Sequence, residues 1–212
     1  MKQKKNIYLC IVKHILLILL LFVGVFTPSS LRQSYTPKIT KKWTINVIPL
    51  GDVPNQMLND ITQSVESFYG FKCVIRNIVD TNISFLTTDK ENYVASKILR
   101  EYISVNHYLI ITNIGIVDKR DETWEMWGLS YCPGPTAVVS FNLLDDDYCS
   151  NEVLTNRIIK ITLHEIAHTI GFKGHCTTSE KCFMNNGSSG LPELDKEAVW
   201  LCNSCKTKLE GL

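Results

Sequence analysis

HEIAHTIGFKGHC, running from His164 to Cys176, decides how the rest of the chain is read. His164 and His168 are four residues apart, so on a helix they share one face. Two imidazoles one turn apart can grip one divalent metal. Glu165, beside the first, can take a proton from a water that the metal acidifies toward a pKa of ~7. Catalytic zinc usually has three protein ligands and one open position, so two histidines leave it short. Gly171 stands where a helix could stop, because glycine tolerates the left-handed backbone that turns a chain back. His175 is the histidine just beyond that turn. Taken alone, HExxH leaves a blander reading open, a helix that happens to carry these residues.

Cysteines follow. Cys176, Cys182, Cys202 and Cys205 end in a C-x-x-C pair and suit a closed structural zinc site or two disulfides. His175 and Cys176 are adjacent, so on an extended backbone they can face opposite sides and serve two different metals. Met184 lies two residues after Cys182 and is placed to form an apolar floor beneath the histidines.

This segment closely resembles the archaemetzincins, a branch of the metzincin zinc peptidases. Their pattern is HExxHxxGxxHC, four residues, C-x-M, seventeen residues, C-x-x-C. The chain gives HEIAHTIG from His164 to Gly171, Cys182-Phe183-Met184, and after 17 residues Cys202-Asn203-Ser204-Cys205. It departs twice. His175 follows Gly171 by four residues instead of three, and five residues instead of four separate Cys176 from Cys182. Gly174 can absorb the first insertion as a bulge that returns His175 to the metal. The resemblance implies a catalytic zinc on His164, His168 and His175, with Glu165 as general base and Met184 as the methionine turn. It implies a second, structural zinc on Cys176, Cys182, Cys202 and Cys205. It also implies a metzincin-like mixed twisted sheet above a long active-site helix, and a small zinc-stapled C-terminal subdomain. In metzincins a peptide substrate pairs with the edge strand above that helix. WEMWGLSYC, with Gly128 and Leu129 between Trp124, Trp127 and Tyr131, is the candidate edge; simple packing of these aromatics on the sheet is the other reading.

Upstream, the pattern is α/β. Trp43–Ile48 reads as a strand, and Pro54 opens a helix with Met57, Leu58, Ile61, Val65 and Phe68 on one face, ended by Gly70. Phe71–Arg76 reads as a strand. Thr88 and Glu91 fit a capping box for a helix with Val94, Ile98 and Tyr102 inward. Tyr108–Thr112 and Thr136–Phe141 are further strands. A long helix then runs from about Glu152 to Ile170, with Leu154, Ile158 and Ile161 buried. This alternation predicts a mixed, mainly parallel sheet.

The net charge of +1 points to no nucleic-acid partner. Lys2, Lys4, Lys5 and Lys13 precede or enter an apolar run, Ile15–Phe26, that is short for a membrane span and right for a signal peptide. Residues 1–30 therefore read as a signal peptide, or as an anchor if uncleaved. Residues 31–41 read as a linker and 42–212 as the zinc metallopeptidase domain. Without residues 1–30 the chain has 18 basic and 21 acidic residues. A secreted or membrane-tethered monomer acting on peptide or protein substrates is expected. The alternative is a non-catalytic zinc domain that recognises peptides or surfaces, which would have no need of Glu165. Cys132 and Cys149 read as a disulfide or as two buried thiols, and Cys73 as a small core residue. Asp145–Asp147 reads as a solvated loop, because three consecutive carboxylates lack calcium-loop spacing. Ser188 and Ser189 read as loop, His107 as structural or exposed, and Trp200 as packed on the last helix.

Overall fold

The computed structural model describes residues 37–80, 82–146, 149–186 and 190–212. The signal-peptide segment, most of the linker, Asp147 and Ser188–Ser189 lie outside the described residues. Strand β1 (Thr44–Leu50) leads into helix α1 (Asn55–Tyr69), then β2 (Lys72–Ile75). A one-turn 3-10 helix, Ile83–Phe85, precedes the two-residue β3 (Tyr93–Val94) and helix α2 (Ala95–Glu101). Strands β4 (His107–Thr112), β5 (Ile116–Asp118), β6 (Asp121–Met126), β7 (Gly128–Ser130) and β8 (Thr136–Ser140) follow. Helix α3 (Asn151–Ile170) is the long one; α4 (Leu191–Lys196) and α5 (Asn203–Glu210) end the chain.

The main sheet has the order β2-β1-β4-β8-β7. Its first four strands are parallel, and β7 runs antiparallel to β8 at the edge. A smaller sheet, β3-β5-β6, is separate in its strand pairing but packs on the same core through Tyr93 and Ile116. Side chains alternate across the pleat. Ile48, Ile110 and Val138 are cross-strand neighbours and pack on Ile98 and Leu99 of α2. Helices α1 and α3 pack together, with α3 lying on β7 and β8. Leu109, Ile110 and Ile111 are fully buried, and burying each side chain contributes roughly 2 kcal/mol.

Helix α3 is capped by Ser150, whose side chain accepts the Val153 amide, and stops at Gly171, where φ is 119°. The expected inner stripe of Leu154, Ile158 and Ile161 is buried, but so are Arg157, Lys160, His164 and Glu165. From Arg157 onward the helix is covered on nearly every side, as a central element is. Arg157 donates bidentately to Asp195 at 2.8 and 2.7 Å, and also to Asp146 and the Leu144 carbonyl. Asp146 is therefore an anchor rather than part of a merely solvated run.

Several expectations are corrected. The capping box at Thr88–Glu91 does not form. Asp89 accepts the Thr87 hydroxyl and the Glu91 amide, and the Asn92 amide goes to Thr87. These short polar side chains bond the local backbone into a loop, and α2 starts later, from Val94. Cys132 and Cys149 are free thiols, and Cys132 is exposed. Cys149 adjoins Ser150 at one end of α3, while Cys132 donates to the Phe172 carbonyl beyond the other end. Twenty residues of helix span about 30 Å, far beyond the reach of a disulfide. Trp200 is exposed. Within the linker, Lys38 and Lys41 bond Glu210 and Ile170 and so are tied to the domain.

Replacing Arg157 with alanine should destabilise the protein by about 2–3 kcal/mol. That is below the full cost of breaking a buried pair, because both carboxylates keep access to water. Hydrogen bonding from Arg157 holds the Asp195 carboxyl below its ordinary value. That stabilisation is complete above the unfolded pKa of ~4 and is lost as pH falls through the lower folded value. Urea denaturation between pH 7 and pH 3 should show this acid loss in the wild type and less of it in Arg157→Ala.

Candidate active site

The end of α3 delivers His164 and His168 to one side of the helix. Gly171 then reverses the chain, and Gly174, at φ 71°, turns it again before His175. The His175 ring centroid lies 5.1 Å from that of His164 and 5.3 Å from that of His168. One ligand nitrogen from each of the three lies within 4.8 Å of the other two. The structure thus brings the late histidine together with the helical pair.

The tautomers follow from the neighbours. His164 Nδ1 sits 2.8 Å from the Phe183 carbonyl oxygen, and His168 Nδ1 sits 2.6 Å from that of Phe172. A carbonyl can only accept, so each Nδ1 carries a proton and each Nε2 is a lone pair. Those two Nε2 atoms are 3.0 Å apart. Two facing lone pairs at that distance need a cation between them, and tetrahedral zinc at 2.0–2.1 Å would set them about 3.4 Å apart. Burial, then the neighbouring His168, pushes His164 down to about 3. Burial likewise lowers His168 and His175. All three are thus neutral, the form that binds metal.

Glu165 points from α3 to the edge strand. Its carboxyl is pushed up to about 7 by burial, against the pull of the Ser130 hydroxyl, which donates to Oε2 at 2.6 Å. A Cβ on Gly128 would lie 2.7 Å from Glu165 Cγ. Strand β7 therefore lies directly on the carboxylate. Gly128 and Leu129 both fall in β7, the exposed edge of the main sheet. Sequence reasoning missed Ser130. The signal was its place two residues after Gly128, hence on the same strand face.

The four cysteines form a second cluster. All are buried free thiols, and their sulfurs lie within 4.8 Å of one another. Cys176 and Cys202 sulfurs are 3.6 Å apart, close to the roughly 3.8 Å of two thiolates on tetrahedral zinc and far from a disulfide bond. Burial pushes the Cys182 thiol up to about 11 and Cys205 well above its ordinary value, a penalty that a divalent cation reverses. Met184 is fully buried in a tight turn closed by the Asn185 amide on the Cys182 carbonyl.

A cleft of about 390 Å³ opens beside the imidazoles and Glu165. His164, Glu165 and His175 line it together with Trp124, Met126, Trp127, Leu143, Ile161 and Glu197. Trp124 is 63% exposed, so it rims the cleft rather than packing the sheet.

The sequence model of peptidase family M54 matches residues 34–211. The archaemetzincin of Halobacterium salinarum is 26% identical over 172 residues, which make up 76% of this chain and 96% of that protein. Two solved archaemetzincins share the fold at 23% identity. That of Methanopyrus kandleri has a TM-score of 0.69 over 80% of this chain and 94% of its own. That of Archaeoglobus fulgidus has 0.68 over 78% and 99%.

Elemental analysis should find about two zinc ions per wild-type chain. His175→Ala should hold about one, and an unchanged count would show that the late histidine is not needed to retain metal.

Proposed function

We propose that this chain, which belongs to peptidase family M54, the archaemetzincins, and is a zinc metallopeptidase, cleaves peptide bonds through a water deprotonated by Glu165. One observation carries the reading: the buried carboxylate of Glu165 touches the open edge of the sheet, beside three convergent imidazoles. We assign His164, His168 and His175 to the catalytic zinc, and the carbonyls of Phe183 and Phe172 fix the first two rings. Zinc bound there supplies polarisation of the scissile carbonyl and acidification of water toward a pKa of ~7.

The chain's own residues do the rest. The free edge of β7 at Gly128 and Leu129 offers backbone donors and acceptors to an extended peptide. Ser130 occupies Oε2 of Glu165, which leaves Oε1 to accept the proton from water as the water oxygen bonds the carbonyl carbon. Glu165 then delivers that proton to the amide nitrogen as the C–N bond breaks. Burial raises the Glu165 carboxyl and a cation on the neighbouring imidazoles would lower it again, which favours the ionised form that takes the proton. Cys176, Cys182, Cys202 and Cys205 would hold the structural zinc, and the buried Met184 turn would form the floor. The lysine-led apolar N-terminal segment supports action outside the cytoplasm, secreted or tethered.

Glu165→Gln should keep both zinc ions and lose roughly 10²–10⁴ in cleavage rate on a peptide library. Ser130→Ala should lose roughly tenfold, in kcat rather than KM. Retained peptides without cleavage by wild type would instead mean a binding module.

A further inference from the structure

The cleft contains a carboxylate that the mechanism does not use. Glu197 follows α4 and lines the cleft with His164 and Glu165. It is 7% exposed, and its Oε1 is buried without a hydrogen-bond partner. The nearby Lys160 lends it charge but no hydrogen bond. Lys160 donates to the backbone carbonyls of Leu194 and Glu197. The other non-catalytic acid of the cleft, Glu125, is different, because its two oxygens accept from the Asn92 and Asn142 amides.

An ionised carboxylate taken out of water without a partner is costly. Burial accordingly pushes Glu197 up to about 7, even against the opposing charge of Lys160. No lysine or arginine lines the cleft among the described residues. Its walls near the imidazoles include the apolar Leu143 and Ile161. Such a cleft suits a group with a methylene stem and a cationic head, since the stem lies along apolar surface while the head finds the acid.

We propose that Glu197 is a specificity-determining residue that receives the cationic head of a lysine or arginine side chain flanking the scissile bond of the substrate. The proposal rests on the peptidase reading above and adds a substrate class to it. A site built to bond a polar substrate group discriminates strongly against analogues that lack it, because its own group is then left unpaired.

The test compares matched peptides that carry lysine, arginine or norleucine beside one scissile bond. The zinc-loaded full chain is assayed as wild type, Glu197→Gln and Glu197→Lys, with zinc content and melting temperature as folding controls. Wild type should favour the basic peptides by roughly ten- to a hundredfold in kcat/KM. Glu197→Gln should bring that ratio near one, and Glu197→Lys should turn the preference toward a matched glutamate peptide. A wild type indifferent to charge, or a preference that survives in Glu197→Gln, overturns the proposal. Calorimetric binding of the same peptides to Glu165→Gln and to Glu165→Gln/Glu197→Gln separates the two layers. Absence of cleavage by wild type overturns the peptidase reading. Equal affinity of Glu165→Gln for basic and norleucine peptides overturns the role of Glu197 whether or not cleavage occurs.

Discussion

Burying α3 almost completely from Arg157 to Ile170 leaves its charged and imidazole side chains in need of partners, because an unpaired polar group inside a protein is expensive. Those partners come from the strand and turn before the helix as well as from the segment after it. Asp146 and Asp195 meet Arg157, and the carbonyls of Leu194 and Glu197 meet Lys160. The Phe183 and Phe172 carbonyls meet His164 and His168, and Ser130 meets Glu165. The helix is thus a template. Strand β7, the turn before the helix and the C-terminal segment laid along it meet these groups and in the same act orient two imidazoles and one carboxylate.

The late histidine is accommodated by where the extra residue falls. Gly174 has a left-handed backbone, and a Cβ there would meet nothing within 4 Å, so the loop bulges outward without pushing on the core. Beyond it, Cys176 is pinned by its amide on the Met184 carbonyl. Helix α5 braces the same loop: Lys208 bonds the Lys173 carbonyl and lies 4.2 Å over the Phe172 ring. His175 and Cys176 share a peptide unit, so order in the cysteine cluster and order among the imidazoles are mechanically joined.

The parts legible in the sequence were those set by local pattern. Periodicity found the central strands, α1 and α3, and the motif spacing found both clusters. What escaped depends on tertiary neighbours. Strand β5 has only three residues and β6 is largely exposed, so their alternation is weak. Arg157 and Lys160 carry no local signal of burial, and only Asp195 and the carbonyls of Leu194 and Glu197 explain their place inside. Ser130 and Glu197 gain meaning only from what α3 places beside them. Thr88 and Glu91 had the spacing of a cap, but Asp89 offered the backbone a closer partner.

Gly128 shows how tightly the edge and the acid are coupled. Its missing side chain lets β7 approach until backbone and Glu165 Cγ are separated by less than the space a methyl would need. An alanine there would have to move the carboxylate, the strand, or both, and Ser130 on the same strand would move with it. A peptide paired to the outer edge of β7 is therefore held at a distance from Glu165 that the strand itself sets. Proton transfer needs heavy atoms within about 2.6–3.2 Å, so a strand shift of one ångström would separate binding from chemistry. Under the proposed mechanism the edge would therefore set the reacting geometry as well as receive the substrate.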